Sequence, residues 1–207
     1  HVPGVELIAE ARLHAAQDPY LADHALDGET LWPGVLGLEA MAQLAGALLA
    51  SAAAPAFEDV RWLRPVVVPP AGETIRIAAL VRAPDTVELV LRCAGTGYAV
   101  DHFRAGCRFG APAAAPPGPV PAAAPAASMI AADALYADGL LFQRGRFRRV
   151  LGYERLEARR CRAHLGAGAD EAAWFGRFLP ATLGLGDPGL RDAALHALQA
   201  CIPHRRL

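Results

Sequence analysis

The chain has 207 residues, enough for one large domain or two small ones with a sizeable core. Hydrophobic residues make up 54% and charged residues 20%, which excludes a disordered protein. The net charge of −1 gives no general electrostatic reason to bind nucleic acid or an anionic membrane. The four cysteines are widely spaced and form no CxxC pair, so we expect free thiols and no metal site.

The N-terminal half begins with a predicted strand and continues into a long helix. Residues Val5–His14 alternate between apolar and polar, as in a half-buried strand, and Asp18-Pro19 breaks the pattern. Pro33 occupies a favoured first helical position, and the helix is predicted to run to about Ala53.

Two features of the N-terminal half bear on whether the protein is secreted or inserted in a membrane. Residues 33–54 are long and apolar enough to span a bilayer, but they lack flanking positive charge, so a buried core helix is the preferred interpretation. Residues 1–30 contain six acidic side chains and no apolar signal-peptide core. We therefore expect a cytoplasmic protein that does not contact a membrane.

Strand-like segments follow the first helix. Alternation predicts strands at Glu73–Arg82, Thr86–Arg92 and Tyr98–Phe109. The third is predicted to bury one face and expose the other: Phe103, Ala105, Cys107 and Phe109 inward, and His102, Arg104 and Arg108 outward. Residues 111–127 are rich in alanine and proline, which is typical of a linker.

The C-terminal half repeats this order in shorter form. Ile130–Leu141 is predicted as a short helix, and Phe147–Leu165 as a strand with a bulge near Arg159-Arg160. Asp187 is predicted as the N-cap of a second long helix that starts at Pro188, runs to about Cys201 and stops at Pro203.

Both long helices open with Pro-Gly and are apolar on nearly all sides, so each must be wrapped by other elements. Strands with one apolar face are the elements best suited to cover such a helix. The sequence thus predicts an α+β architecture in which a curved antiparallel sheet wraps a buried helix, made twice. The second copy lacks strands after its helix, and the first residue is His, so we expect a piece of a longer protein.

The first chemical constellation combines His24, Gly28 and Pro33. Gly28 allows a tight turn with close backbone approach after the histidine. The helix that follows presents the unpaired N–H groups of Gly34 and Val35, which could hold a carbonyl oxygen as it gains negative charge. The alternative is that His24 is a surface or core-capping side chain.

The second constellation lies on the second helix. Asp192, His196 and Gln199 share one helix face within an alanine- and leucine-rich stretch. Polar groups on a buried helix cost free energy unless they are paired. The alternative is a stripe that faces solvent.

These residues carry a family resemblance. The pattern HxxxGxxxxP at His24, Gly28 and Pro33, followed by DxxxH at Asp192 and His196, resembles the dehydratase domains of polyketide and fatty acid synthases. Residues 20–24, 37–43, 139–147 and 186–204 look closest to iterative enediyne polyketide synthases. The resemblance implies a double hot dog: an N-terminal hot dog at 1–110, the linker at 111–127 and a partial C-terminal hot dog at 128–207.

The resemblance also implies elimination of water from a β-hydroxyacyl thioester. His24 would be the base that removes the α-proton, and Asp192 the acid that protonates the leaving hydroxyl, which requires a dry site that raises the carboxyl pKa. His196 would orient Asp192, with Gln199 a weaker candidate. The substrate-binding residues would be completed by Gly28, Pro33, Gly34 and Val35.

The implied partners follow from the same family. The substrate would arrive on the phosphopantetheine arm of an acyl carrier protein, and the domain itself would need no cofactor or metal. Other domains of the same synthase and a homodimer partner are expected contacts, and no nucleic acid is.

Three further groups of residues lead to predictions about substrate binding, carrier-protein docking and side-chain pairing. Many family members have a hydroxyl-binding tyrosine where this chain has Gln143, while Tyr136 and Tyr153 are nearby in sequence. Eight arginines crowd into residues 144–162, forming either a solvated strand face or a docking patch for an acidic carrier protein. Glu39 and Gln43, one turn apart, are expected to pair with each other.

Two other functions stay open on the sequence alone. A product-template cyclase would use the same histidine and aspartate but needs a deep, roomy pocket. A non-catalytic scaffold domain would place His24 and Asp192 too far apart to share a substrate.

Overall fold

The computed structural model describes residues 1–110, 129–166, 174 and 183–202, so the linker predicted at 111–127 lies outside the described residues. The strands of the first half are β1 (Glu6–Leu13), β2 (Ala25–Leu26), β3 (Glu29–Thr30), β4 (Ala56–Trp62), β5 (Glu73–Ala83), β6 (Thr86–Cys93) and β7 (Phe103–Arg108), with helix α1 at Gly34–Leu49. The second half contains β8 (Ile130–Ala131), α2 (Asp133–Ala137), β9 (Val150–Glu157), β10 (Arg160–Leu165) and α3 (Pro188–His196).

Helix α1 is packed against one face of a five-stranded antiparallel sheet with the order β1-β5-β6-β7-β4. Alternate side chains of the central strands are buried against it, for example Ile75 and Ile77 of β5 and Leu89 and Leu91 of β6. This period of two is what the sequence predicted for a sheet with one buried face. The core of the first half therefore lies between α1 and the concave side of the sheet.

Helix α1 is shorter than the sequence predicted. Pro33 is the N-cap rather than the first helical residue, and the helix ends at Leu49 instead of about Ala53. Ala50 adopts a left-handed conformation with φ of 51°, and its N–H donates to the carbonyl of Gly46, which closes the helix. Among the described residues, no helix has both the length and the apolar character needed to cross a bilayer.

The outward position predicted for His102 is wrong, because the residue is only 5% exposed. His102 precedes β7, and its carbonyl accepts the N–H groups of Leu63 at 2.8 Å and Arg64 at 3.2 Å. The residue thus lies under an incoming loop, before the strand's alternation begins.

The second half departs further from the sequence prediction. The predicted strand at Phe147–Leu165 is a hairpin of β9 and β10, and the pattern slip near Arg159-Arg160 marks its turn rather than a bulge within one strand. The predicted helix at Ile130–Leu141 shortens to α2, because β8 takes its first residues into the sheet β10-β9-β8.

Helix α3 begins as predicted and is only partly covered. The side chain of Asp187 caps it by accepting the N–H of Leu190 at 3.0 Å. The α-helix ends at His196 and continues as a 3₁₀ helix to Cys201. Leu190, Leu195 and Leu198 remain 40–50% exposed, so the expectation of a helix wrapped on all sides is wrong. The three strands described for this half are too few to enclose it.

The two halves are joined by a buried carboxylate. Glu39 of α1 is fully buried, and its Oε1 accepts the N–H of Gly184 at 2.7 Å and the side-chain amide of Gln43 at 2.8 Å. Its Oε2 accepts the N–H of Leu185 at 3.0 Å and faces Arg191 of α3 at 3.5 Å. The predicted pairing of Glu39 with Gln43 is present, and it belongs to a larger joint between α1 and α3.

Replacing Glu39 by alanine is expected to lower the free energy of unfolding by about 3 kcal/mol, since Arg191 and two backbone N–H groups would lose their acceptor in a buried place. Urea denaturation measures the change. Glu10→Ala is the matched control, because it removes an exposed pair with Arg76 and should cost under about 1 kcal/mol. Equal losses in the two variants would contradict the role of the joint.

Candidate active site

His24 is placed by a short helical turn and a tight hairpin. It follows the 3₁₀ helix Pro19–Asp23 and leads into β2, which pairs with β3. Asp27 and Gly28, at φ of 52° and 86°, form the two-residue turn between them. The returning chain brings the carbonyl of Leu31 within 3.0 Å of His24 Nδ1. A carbonyl can only accept, so Nδ1 carries the proton and Nε2 keeps its lone pair.

The His24 ring lies in an apolar setting. Phe142 and Phe147 approach it edge-on, with ring centroids 4.9 and 5.2 Å away. Burial disfavours the charged imidazolium and lowers the pKa of His24 below its ordinary value of 6.5, against the opposing charge of Asp192. The ring is therefore neutral at neutral pH, as a general base must be.

Asp192 meets His24 from the other half of the molecule. His24 Nε2 lies 3.9 Å from Asp192 Oδ1, and His196 Nδ1 lies 2.9 Å from Asp192 Oδ2. Asp192, His196 and Gln199 are 8%, 7% and 6% exposed, so the alternative of a solvent-facing stripe is wrong. The carboxyl group is held between two imidazoles.

A mainly apolar cleft opens beside this group, with about 340 Å³ of empty space, part of it open to solvent. Its lining comprises Leu26, Leu140, Leu141, Phe142, Gln143, His196 and Gln199. Gln143 is buried, and its Oε1 has no hydrogen-bond partner among the described residues. Gln199 donates its side-chain N–H to the carbonyl of Ile202 at 3.3 Å. The cleft thus offers a mainly apolar space suited to an acyl chain.

The remaining predicted substrate-binding residues lie at the start of α1 and in the turn before β3. The carbonyl of Pro33 accepts the N–H groups of Leu36 and Gly37, which leaves Gly34 and Val35 as the first N–H groups of α1. A Cβ at Gly34 would overlap the ring of Trp62, so only glycine fits there. At Gly28 the turn needs a positive φ, and no described atom lies within 4 Å of the point that a Cβ would occupy.

A second joint between the halves lies directly beside His24. The carboxylate of Asp23 pairs with the guanidinium of Arg146 and accepts its backbone N–H at 3.2 Å, while the Asp23 carbonyl accepts the N–H of Arg144 at 2.9 Å. Gly145 lies between these two arginines with φ of 44°, and a Cβ there would collide with the Asp23 carboxylate. This contact fixes the segment that carries Phe142 and Phe147 against the histidine.

Sequence reasoning left several of these contacts unassigned. Tyr136, which lies 3.4 Å from His196 Nε2, could be chosen only as one of two nearby tyrosines. Tyr153 instead donates its hydroxyl to the carbonyl of Ala197 at 3.0 Å, within the core. No periodicity marks such contacts, because they join residues far apart in the chain.

Half of the eight arginines in residues 144–162 are paired with carboxylates. The pairs are Arg146 with Asp23, Arg148 with Asp133, Arg155 with Glu157, and Arg162 with Glu154. One of these pairs belongs to the joint beside His24. The stretch is thus not a uniform positive surface, and a carrier-protein docking patch stays a prediction.

Comparison with known proteins agrees with this geometry. Residues 2–92 match the family model described as the polyketide synthase dehydratase domain. A segment of 69 residues is 47% identical to polyketide synthase ThaG of Burkholderia thailandensis, covering 30% of this chain and about 1% of that much longer protein.

Solved structures extend the likeness to nearly the whole chain. The dehydratase domain of the terminal module of the rifamycin polyketide synthase has a TM-score of 0.69 at 19% identity, covering 98% of this chain and 75% of that one. The dehydratase domain of the CurF module of the curacin polyketide synthase has a TM-score of 0.71 at 16% identity, covering 100% and 75%. Residues 2–92 are thus similar in sequence to the dehydratase domain family, and the solved structures show that the chain has the α+β hot-dog fold, less complete in its C-terminal part.

Gly145→Ala is expected to destabilise the protein and to reduce activity, because the new methyl group would push Asp23 and the adjoining His24 apart from the second half. Left-handed backbone costs about 1–2 kcal/mol for a non-glycine residue, and the overlap adds about 1–3 kcal/mol. Gly139→Ala is the matched control, since its φ of 73° is equally strained and nothing lies near its Cβ position. Thermal denaturation that fails to separate the two variants would contradict the contact.

Proposed function

We propose that the chain removes water from a β-hydroxyacyl thioester held on an acyl carrier protein, giving an enoyl intermediate. The observation that carries this proposal is the pairing of His24 Nε2 with Asp192 Oδ1 at 3.9 Å in a buried site. A neutral base and a carboxyl group at this separation can act on adjacent carbons of one substrate. The sequence tracts similar to iterative enediyne synthases support a polyene as the product of repeated cycles.

His24 supplies the base. Its Nδ1–H is occupied by the Leu31 carbonyl, so the lone pair of Nε2 accepts the α-proton of the thioester. The electron pair of the C–H bond then moves toward the thioester carbonyl. The N–H groups of Gly34 and Val35 at the start of α1 are proposed to stabilise the oxygen as it gains charge.

Asp192 supplies the acid. Its Oδ1 faces His24 and the substrate, and a proton from this oxygen passes to the β-hydroxyl as the C–O bond breaks, so that water leaves and the double bond forms. The catalytic pair is then charged, with protonated His24 and ionised Asp192. Transfer of the proton across the short gap between them restores both groups.

The side chains around the cleft are proposed to bind the substrate. We propose that the unpartnered Oε1 of Gln143 accepts a hydrogen bond from a substrate hydroxyl, in the place where related domains carry tyrosine. Gly28 and Pro33 act by shaping the hairpin and the helix start, and Gln199 borders the cleft.

The proposed partners follow from the proposed reaction. The acyl group would be delivered on the phosphopantetheine arm of a carrier protein, so the domain itself would use no cofactor. It would act with the other domains of its synthase in the cytoplasm, as a homodimer.

The scaffold alternative required His24 and Asp192 to lie far apart, and their separation of 3.9 Å removes that premise. The cyclase alternative required a deep, roomy pocket, whereas the described cleft is small and mainly apolar. Dehydration of a linear chain suits this space better.

Incubation with a β-hydroxyacyl carrier protein is expected to lower the mass of the acyl group by one water, as read by mass spectrometry. His24→Ala and Asp192→Asn should each reduce turnover at least about 100-fold, because each removes one of the two proton-transfer groups. His164→Ala is the matched control, since His164 is an exposed histidine paired with Glu154 away from the cleft. Turnover that survives either catalytic substitution would overturn these roles.

The pH profile of kcat/KM should keep its acid limb below pH 6.5. Burial lowers the pKa of His24 from that value, so the base stays neutral and competent into mildly acidic solution. The same shift means that protonation of His24 opposes folding, so stability should fall as pH drops below 6.5. An acid limb centred at or above pH 6.5 would contradict the buried setting of the base.

A further inference from the structure

Tyr136 forms a hydrogen-bonded link to the catalytic aspartate through His196. It lies in α2 with a half-buried side chain, and its ring meets that of His196 edge-on, with centroids 6.5 Å apart. The Tyr136 oxygen is 3.4 Å from His196 Nε2, a long hydrogen bond, and 3.1 Å from the backbone nitrogen of Val150. Three elements, α2, β9 and α3, thus converge on one hydroxyl group.

The donors available to this link favour one direction for each hydrogen bond. The backbone N–H of Val150 can only donate, so it occupies the Tyr136 oxygen as an acceptor and leaves the phenolic proton for another partner. The acceptor in reach is His196 Nε2. Once Nε2 accepts, a neutral His196 must carry its proton on Nδ1, which donates to Asp192 Oδ2 at 2.9 Å.

The consequence concerns the two oxygens of Asp192. Oδ2 is occupied by the His196 N–H, so a proton on the carboxyl group belongs on Oδ1. Oδ1 is the oxygen that faces His24 Nε2. We propose that Tyr136 is a positioning residue that, by fixing the tautomer of His196, places the transferable proton of Asp192 on the oxygen facing the substrate.

The surroundings of Tyr136 keep its hydroxyl group protonated. Burial raises the pKa of Tyr136 above its ordinary value of 10.0. The titratable and charged groups facing it are Asp192 and His196 of α3 and Arg148, whose guanidinium lies 4.6 Å from the ring centroid and pairs with Asp133 of α2. His24 lies beyond Asp192.

Tyr136→Phe tests the proposal, because it keeps the ring and its contacts and removes only the hydroxyl group. ¹⁵N NMR of the His196 ring is the first measurement. In the wild-type chain, Nδ1 should be protonated and Nε2 should be a hydrogen-bonded acceptor. In Tyr136→Phe, the ring should show mixed tautomers or increased protonation. A wild-type ring protonated on Nε2, or identical spectra in the two proteins, would overturn the proposal.

The kinetic measurement rests on the proposed dehydration. Tyr136→Phe should lower kcat about 10–100-fold, the usual range when a partner that orients a functional histidine is lost, with KM little changed. An unchanged kcat would overturn the positioning role.

Tyr153→Phe is the matched control. It also removes one buried hydroxyl from the same small core, but that hydroxyl donates to Ala197 rather than to the active site. Its unfolding temperature should fall while the His196 spectrum and kcat stay unchanged. Absence of dehydration by the wild-type chain would defeat the proposed function alone, because the NMR result decides the Tyr136 link independently.

Discussion

The active site depends on the closure of one half of the molecule on the other, and two buried or half-buried carboxylates hold that closure. Glu39 of α1 accepts backbone N–H groups from the segment before α3 and faces Arg191, while Asp23 is paired with Arg146 beside His24. An unpaired carboxylate in such a place would be costly, so each joint forms only when both halves are docked. The distance between His24 and Asp192 is a consequence of this docking.

Within the site, apolar packing surrounds His24, whereas hydrogen bonding holds the neighbouring Asp192. The edges of Phe142 and Phe147 exclude water from His24 and lower its pKa, which preserves a neutral base. Asp192 instead receives a hydrogen bond from His196, whose ring is held by its own partner on the far side. One site thus places a desolvated imidazole next to a hydrogen-bonded carboxyl group.

Local patterning predicted the sheet of the first half better than the elements of the second. The alternation of β5, β6 and β7 was readable because one face of each strand meets the apolar α1. The same reasoning merged β9 and β10 into one strand, since a tight turn without glycine or proline leaves only a slip in the pattern. His102 was assigned to the wrong face because a loop from another part of the chain covers it. The exposed leucines of α3 were missed for a related reason: helix composition does not reveal how many strands surround it.

The sequence by itself determined the local elements and the chemical types: a histidine before a tight turn and a helix start, and an aspartate and a histidine one turn apart on a second helix. Hydrophobic period, capping and turn residues act over a few positions, so they can be read from a single chain. Only the tertiary structure decided that His24 and Asp192 meet, that Nε2 is the free nitrogen of His24, and that Tyr136 stands behind His196. The first and third of these features depend on contacts between residues that lie more than a hundred and about sixty positions apart in the chain. The second depends on a carbonyl that the hairpin brings back to His24. The packing of the elements against one another, and not local preference, sets all three.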